Sequence, residues 1–250
     1  MNTNTLKLFF GAVAISLLIF SPTTAVADNI DVTSVTGNWQ NVQGGPEPVF
    51  SQNLNGSGTN FMQWGITTSN NGQSGYKFVG DAPPTISSIP LDQPFALGTF
   101  FHYNFPILTT GGSLSSTDLA VSLNFSINGQ NLSANNVYTF LHNETPNVNL
   151  NIQNPINNDI VSFLNNTSSQ QVVDIGGMDY ALTLLGFSTT PGGTLVSQFS
   201  TTENKINSAQ LFAEFTKVGV EVPEPSTYML LGGMLLVIAL TKKRVSAKTN

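Results

Sequence analysis

Leu119-Ala120-Val121-Ser122-Leu123-Asn124-Phe125-Ser126-Ile127 carries a large apolar residue at every second position. A period of two turns those five side chains to one face of a β-strand and the small or polar ones to the other. Asn128-Gly129 follows at once, the dipeptide that supplies the two positive φ values of a type I′ turn. The stretch predicts a half-buried strand that ends in a tight hairpin.

The neighbouring sequence repeats this grammar. A second hairpin is predicted between Gln171–Ile175 and Met178–Phe187 across Gly176-Gly177. Further strands read at Ile30–Trp39, Gly75–Val79, Phe95–Tyr103, Val137–Leu141, Asp159–Leu164, Thr194–Phe199 and Ala209–Val218. Between them lie polar segments rich in Asn, Gly and Pro, such as Gly44-Gly45-Pro46-Glu47-Pro48 and Asp81-Ala82-Pro83-Pro84. No helical period and no internal repeat interrupts the pattern. The expected fold class is all-β: a single β-sandwich of about ten strands, with a jelly roll as one form it can take.

The two ends of the chain read differently. Residues 1–27 hold one cation, Lys7, then an apolar run from Leu8 to Phe20, a break at Ser21-Pro22, and the small residues Ala25 and Ala27. That order describes a signal peptide, with Asp28 as the first mature residue; an uncleaved membrane anchor is the alternative. At the other end, residues 223–250 comprise Pro223-Glu224-Pro225, an uncharged run from Tyr228 to Leu240, and the basic cluster Lys242, Lys243 and Arg244. A helix over 228–240 is a short transmembrane segment, about 20 Å long at 1.5 Å per residue, against a hydrocarbon core of about 30 Å. The positive-inside rule keeps its basic end cytoplasmic and exports everything before it.

The body between these ends, residues 28–222, is strongly acidic. It holds thirteen of the fourteen carboxylates against Lys77, Lys205 and Lys217, a formal charge of −10. No basic patch is present to neutralise phosphates, which excludes nucleic acid as a partner. There is no cysteine, so disulfides, thiolate metal sites and thiol nucleophiles are excluded in an exported chain.

Pro-Glu-Pro, an apolar helix and a basic terminus in that order resemble a PEP-CTERM sorting signal. The resemblance implies an exosortase-type membrane peptidase as partner, an association with exopolysaccharide-producing Gram-negative bacteria, and processing near Glu224. A permanent single-pass anchor stays open beside it. A wider resemblance rests on Gly98-Thr99-Phe100-Phe101-His102-Tyr103-Asn104-Phe105-Pro106-Ile107, with Trp64-Gly65, Ser74-Gly75-Tyr76 and Phe140-Leu141-His142-Asn143-Glu144-Thr145-Pro146-Asn147. From Ile30 to the tail, the chain is similar to the THxN family of PEP-CTERM proteins. His102 and Asn104 match the naming motif, whereas Phe101 stands at its Thr position. The resemblance implies an exported, β-rich protein and no particular chemistry.

His102 and His142 are the only histidines. The expected role of His102 and Asn104 is structural, bonding loop backbone ahead of Pro106, with no metal and no cofactor. If their strands are neighbours, His102, His142 and Glu144 form the alternative, a zinc or copper site of imidazole and carboxylate. A structural Ca²⁺ also stays open through Asp28, Asp31, Asp118, Asp159, Asp174 and Asp179, although no Asp-x-Asp-x-Asp-Gly loop is present.

No catalytic residue is expected, because no Gly-x-Ser-x-Gly elbow and no phosphate-binding glycine run occurs. Asp174 and Asp179, the nearest thing to paired carboxylates, only flank a hairpin turn. The functional expectation is a non-enzymatic exported protein of the cell envelope or extracellular matrix. One alternative is a glycan-binding module for the cell surface or exopolysaccharide, stacking sugars on Trp39, Trp64, Tyr76, Phe100, Phe101, Tyr103 and Phe105. Another is a metal- or carboxylate-dependent hydrolase.

Overall fold

In the computed structural model, the Leu119–Ile127 alternation lies inside a fifteen-residue strand, and the five large apolar side chains of that alternation are all buried. Asn128 and Gly129 take φ of 53° and 81°, and the chain returns antiparallel with Gln130 opposite Ile127. The structure describes residues 28–45, 50–52, 60–68, 70–148, 151–164, 172–175 and 177–218. The expected signal peptide and the sorting segment, including Pro223, Glu224 and Pro225, lie outside these residues.

The described chain is all-β, with fifteen strands and two single-turn 3-10 helices. The strands are β1 (Ile30–Gly45), β2 (Phe50–Gln52), β3 (Asn60–Trp64), β4 (Ile66–Thr67), β5 (Ser74–Gly80), β6 (Ile86–Ile89), β7 (Phe95–Asn104) and β8 (Ile107–Leu108). They continue as β9 (Ser113–Ile127), β10 (Gln130–Asn143), β11 (Asp159–Phe163), β12 (Val172–Ile175), β13 (Met178–Ser188), β14 (Gln198–Thr201) and β15 (Lys205–Val218). Among the described residues, no helix is long and apolar enough to cross a membrane.

A six-stranded antiparallel sheet runs in the order β14-β11-β10-β9-β1-β6, and a seven-stranded one in the order β12-β13-β15-β7-β5-β3-β2. The strands β4 and β8 form a separate pair. Inward-facing residues of both sheets join one core. At its centre Trp39 and Phe140 of the first sheet meet Phe100 and Tyr76 of the second. Phe100 stacks on Phe140 at 5.5 Å between centroids, and Trp39 reaches Tyr76 at 5.4 Å. Each such ring taken out of water contributes about 1.5–3 kcal/mol, and in a cysteine-free domain this burial replaces covalent cross-links.

Gly98 marks how closely β7 packs on its neighbour β5 within the seven-stranded sheet. A Cβ there would sit 2.5 Å from both Phe78 Cζ and the Val79 carbonyl oxygen. Only a residue without a side chain lets β5 and the Phe78 ring pack there.

At one end of the core, the inward-facing positions change from apolar to polar, strand by strand. Along β7 the buried series runs Phe100, His102, Asn104; along β10 it runs Tyr138, Phe140, His142. On β11 it is Phe163, Val161, Asp159, and on β14 Phe199 is followed by Thr201. Strand β5 contributes Phe78, Tyr76 and Ser74 to the same end. Five strands thus deliver a polar plug to one end of a largely apolar interior.

Candidate functional site

The plug brings His102, His142 and Asp159 together, with one ligating atom of each within 4.8 Å of the others. His102 comes from the seven-stranded sheet, whereas His142 and Asp159 come from neighbouring strands of the six-stranded one. All three are buried. Indole and phenol rings wall the cluster: Trp64 stacks over His102 at 5.8 Å and meets His142 edge-on at 5.2 Å.

Hydrogen bonds fix the state of His102. Thr201 Oγ1 donates to the Asp159 carbonyl oxygen at 3.3 Å, which uses its single proton. The same hydroxyl lies 2.9 Å from His102 Nδ1 and therefore accepts from it. Asn104 Nδ2 also donates to Thr201, at 3.2 Å to the carbonyl oxygen and 3.4 Å to Oγ1. The Nδ1–H tautomer of His102 is the one compatible with that Thr201 bond, and in it Nε2, which has no hydrogen-bond partner, carries the lone pair. His102 and Asn104, two apart on one strand, grip the same threonine.

His142 is held from both sides. Its Nδ1 lies 2.6 Å from the Tyr76 hydroxyl, and its Nε2 lies 3.1 Å from Glu144 Oε2 and 3.9 Å from Asp159 Oδ2. Asp159 Oδ1 accepts from the Thr145 backbone N–H at 2.8 Å, while Oδ2 has no hydrogen-bond partner.

Burial dominates the electrostatics. It holds His102 well below the usual imidazole range, with His142 adding to the effect, and lowers His142 to about 4 against the opposing pull of Asp159. Both rings are neutral near pH 7. Burial also raises the carboxyls of Glu144 and Asp159, and their proximity raises Asp159 further. Glu203, from the turn before β15, is pushed up to about 7 by burial first and by Glu144 second. Among the described residues no lysine or arginine reaches ion-pair distance of these three acids. The plug is a buried concentration of acid without a counter-cation.

Glu144 also meets a cavity, of about 440 Å³, whose wall includes Ile107, Leu108, Thr145, Pro146 and Val148. Its side chain keeps 18% exposure, against none for His142 and Asp159.

The residues singled out by type and spacing therefore fall into place unevenly, and the imidazoles bond side chains rather than loop backbone. The turn ahead of Pro106 is fixed instead by Ser74, whose hydroxyl donates to the Phe105 carbonyl and accepts from the Phe105 N–H. His102 and His142 come together as the metal alternative expects, but the carboxylate that completes the close triad is Asp159, with Glu144 beside His142 at 3.1 Å. The other aspartates of the calcium reading are dispersed. Asp28 bonds Asn128, Tyr180 and Lys217; Asp31 bonds the Ser88 N–H; Asp118 bonds Asn41 and Thr139. Asp174 and Asp179 sit opposite each other across the β12–β13 hairpin.

Of the proposed sugar platform, Trp39, Trp64, Tyr76 and Phe100 are core residues. Phe101, Tyr103 and Phe105 point the other way and are half-buried on the outer face of β7. There Phe61, which carries no sequence signal of its own, joins Tyr103 at 4.9 Å. Thr201 and Glu203 are further site residues that sequence reasoning passes over, and Tyr76, read there as a sugar-stacking ring, instead bonds His142. In comparisons with known proteins, no family model and no curated protein matches this chain.

Proposed function

We propose that the protein is an exported, non-enzymatic component of the cell envelope or extracellular matrix, which an exosortase-type peptidase releases from a temporary inner-membrane anchor. The observation that carries this reading is the order Pro223-Glu224-Pro225, the apolar run 228–240, and Lys242 to Arg244. The likeness to THxN-type PEP-CTERM proteins, through His102 and Asn104, points the same way. In this reading the domain is a β-sandwich, two sheets facing across one core, delivered to the outside by the segment before Asp28.

Two structural features support it. Asp28, the residue that would start the mature chain, is already tied into the domain through Asn128, Tyr180 and Lys217. The last described strand, β15, ends at Val218, a few residues before Pro223, so the sorting motif follows directly on folded structure. Fractionation of the native host with an antibody against the domain tests the reading. Domain in the outer envelope or matrix fraction, shorter than the full chain, is the expected result; full-length protein confined to the inner membrane rejects it.

The outer-face aromatics favour a second reading, a glycan-binding module. Phe61, Tyr103 and Phe105 form a continuous strip, with Tyr103 and Phe105 6.3 Å apart and Lys77 over Phe101 at 5.9 Å. Flat apolar rings on a sheet face suit stacking against pyranose faces. A glycan array decides this reading: binding that Tyr103→Ala abolishes supports it, and an array without signal removes it.

A further inference from the structure

We propose that His102, His142 and Asp159, with Glu144 as fourth donor, form a closed site for a divalent transition-metal ion, zinc foremost, which clips the two sheets together.

The lone pairs are already set out for an ion. The hydroxyl of Thr201 holds the proton of His102 on Nδ1, so a buried Nε2 is left with no donor to receive. A buried acceptor without a partner is destabilising, and a metal ion is the partner that suits imidazole nitrogen. Asp159 repeats the arrangement: Oδ1 is anchored by the Thr145 N–H, and Oδ2 is free.

The outer shell is in place as well. Imidazoles that bind metal are steered by a hydrogen bond at the other ring nitrogen. His102 has Thr201 in that place, and His142 has Tyr76 at 2.6 Å. Ion binding at His142 Nε2 leaves the ring proton on Nδ1, where the Tyr76 oxygen accepts it.

Distances and charge agree with this assignment. Tetrahedral zinc with bonds of about 2.0–2.1 Å places its donors about 3.3 Å apart. His142 Nε2 lies 3.1 Å from Glu144 Oε2 and 3.9 Å from Asp159 Oδ2, and the triad spans at most 4.8 Å. Small side-chain movements close the shell. A dication supplies the counter-charge that the acids Glu144, Asp159 and Glu203 otherwise lack. Two imidazoles and two carboxylates favour zinc over calcium, which takes six to eight oxygens. Four protein donors leave no open position, the pattern of a structural rather than a hydrolytic site. Glu144, on the cavity wall, gives the ion its way in. The clip would link β7 to β10 and β11 in a chain that has no disulfide.

The test is zinc binding by the full-length chain, purified in detergent and stripped with a chelator. Titration with Zn²⁺ alone should end at one equivalent, raise the thermal midpoint, and be matched neither by Ca²⁺ nor by Mg²⁺. His142→Gln and Glu144→Gln should each weaken zinc binding at least about tenfold. Should a variant fail to fold, Co²⁺ loading of the unaltered chain decides, since a four-coordinate site gives intense visible absorption. Uptake well below one equivalent, a Ca²⁺ response in place of a Zn²⁺ one, folded variants that bind like the parent, or a six-coordinate cobalt spectrum each overturns the proposal.

Discussion

His102 and His142 meet edge to face, their ring centroids 5.2 Å apart and their planes at 87°, although each belongs to a different sheet. Two imidazoles from unlike sheets at that distance turn the polar end of the core into one connected unit. The groups that steer them should therefore matter as much as the rings.

Thr201→Val keeps the shape of a buried side chain and removes the hydroxyl that bonds His102, Asn104 and the Asp159 carbonyl. It leaves the His102 Nδ1–H without its acceptor, and the expected cost is about 1–3 kcal/mol. Urea unfolding measures it; a midpoint within error of the parent would show that Thr201 does not organise the plug.

Gly98→Ala should destabilise without touching the polar cluster. Its Cβ meets a backbone oxygen as well as the Phe78 ring, so relief requires a shift of β5 itself. Overpacking of this kind costs about 1–3 kcal/mol. A lowered thermal midpoint with an unchanged strand-type circular dichroism spectrum is the expected outcome.

The chelated protein should lose stability as pH rises above 6.5. Glu203 keeps its proton in the folded state up to about 7, and Glu144 and Asp159 are raised as well, while the unfolded chain releases these protons in the ordinary carboxylate range. Stability linked to such raised groups falls as pH climbs towards the folded values. Both histidines are lowered, so they act in the opposite sense, but only below their ordinary 6.5. Tyr76 stays protonated throughout. With zinc present the slope should reverse, because metal binds the deprotonated ligands. Thermal midpoints from pH 6.5 to 8, with and without zinc, check the sign.

Much of this architecture is legible in the alternation of single strands. Leu119–Ile127 and Asn128-Gly129 define β9 and its hairpin from local signals alone, since one buried face and two positive φ values leave a trace in every residue. Ile30–Trp39, by contrast, continues to Gly45, because Gln40, Gln43, Gly44 and Gly45 pair with β9 without a periodic apolar mark. Strands β3 and β6 are too short for a period to stand out.

The site divides along the same line. His102, His142 and Glu144 attract notice by residue type. Asp159 is read only as one of six calcium candidates, yet its parity carries the signal: Asp159, Val161 and Phe163 alternate with Ile160 and Ser162, which sets the aspartate on the core side of its strand. Thr201 stands in the same relation to Phe199. What sequence could not supply is the pairing that puts Thr201 opposite Asp159 and Tyr76 opposite His102, since register between distant strands is set by the packed sheet.

On the proposed reading, the mature chain should begin at Asp28. Its carboxyl is held below the usual range, first by Asn128, and it closes the gap between the β9–β10 turn and Tyr180. N-terminal sequencing of the exported protein reads this directly; a start beyond Asp28 would discard those bonds.

Processing of the tail is the central claim. Pro223 and Pro225 each fix φ and remove a helical donor, and each biases the residue before it towards extended geometry. On the proposed reading, a Pro-Glu-Pro that such constraints keep extended would be a strand a membrane peptidase can bind. The most direct measurement is the intact mass of the protein from a host that has an exosortase and from one that lacks it. The expected result is loss of everything from about Ser226 in the first host and a chain ending at Asn250, still membrane-bound, in the second. A product ending at Asn250 in both would contradict the claim and leave a permanent anchor.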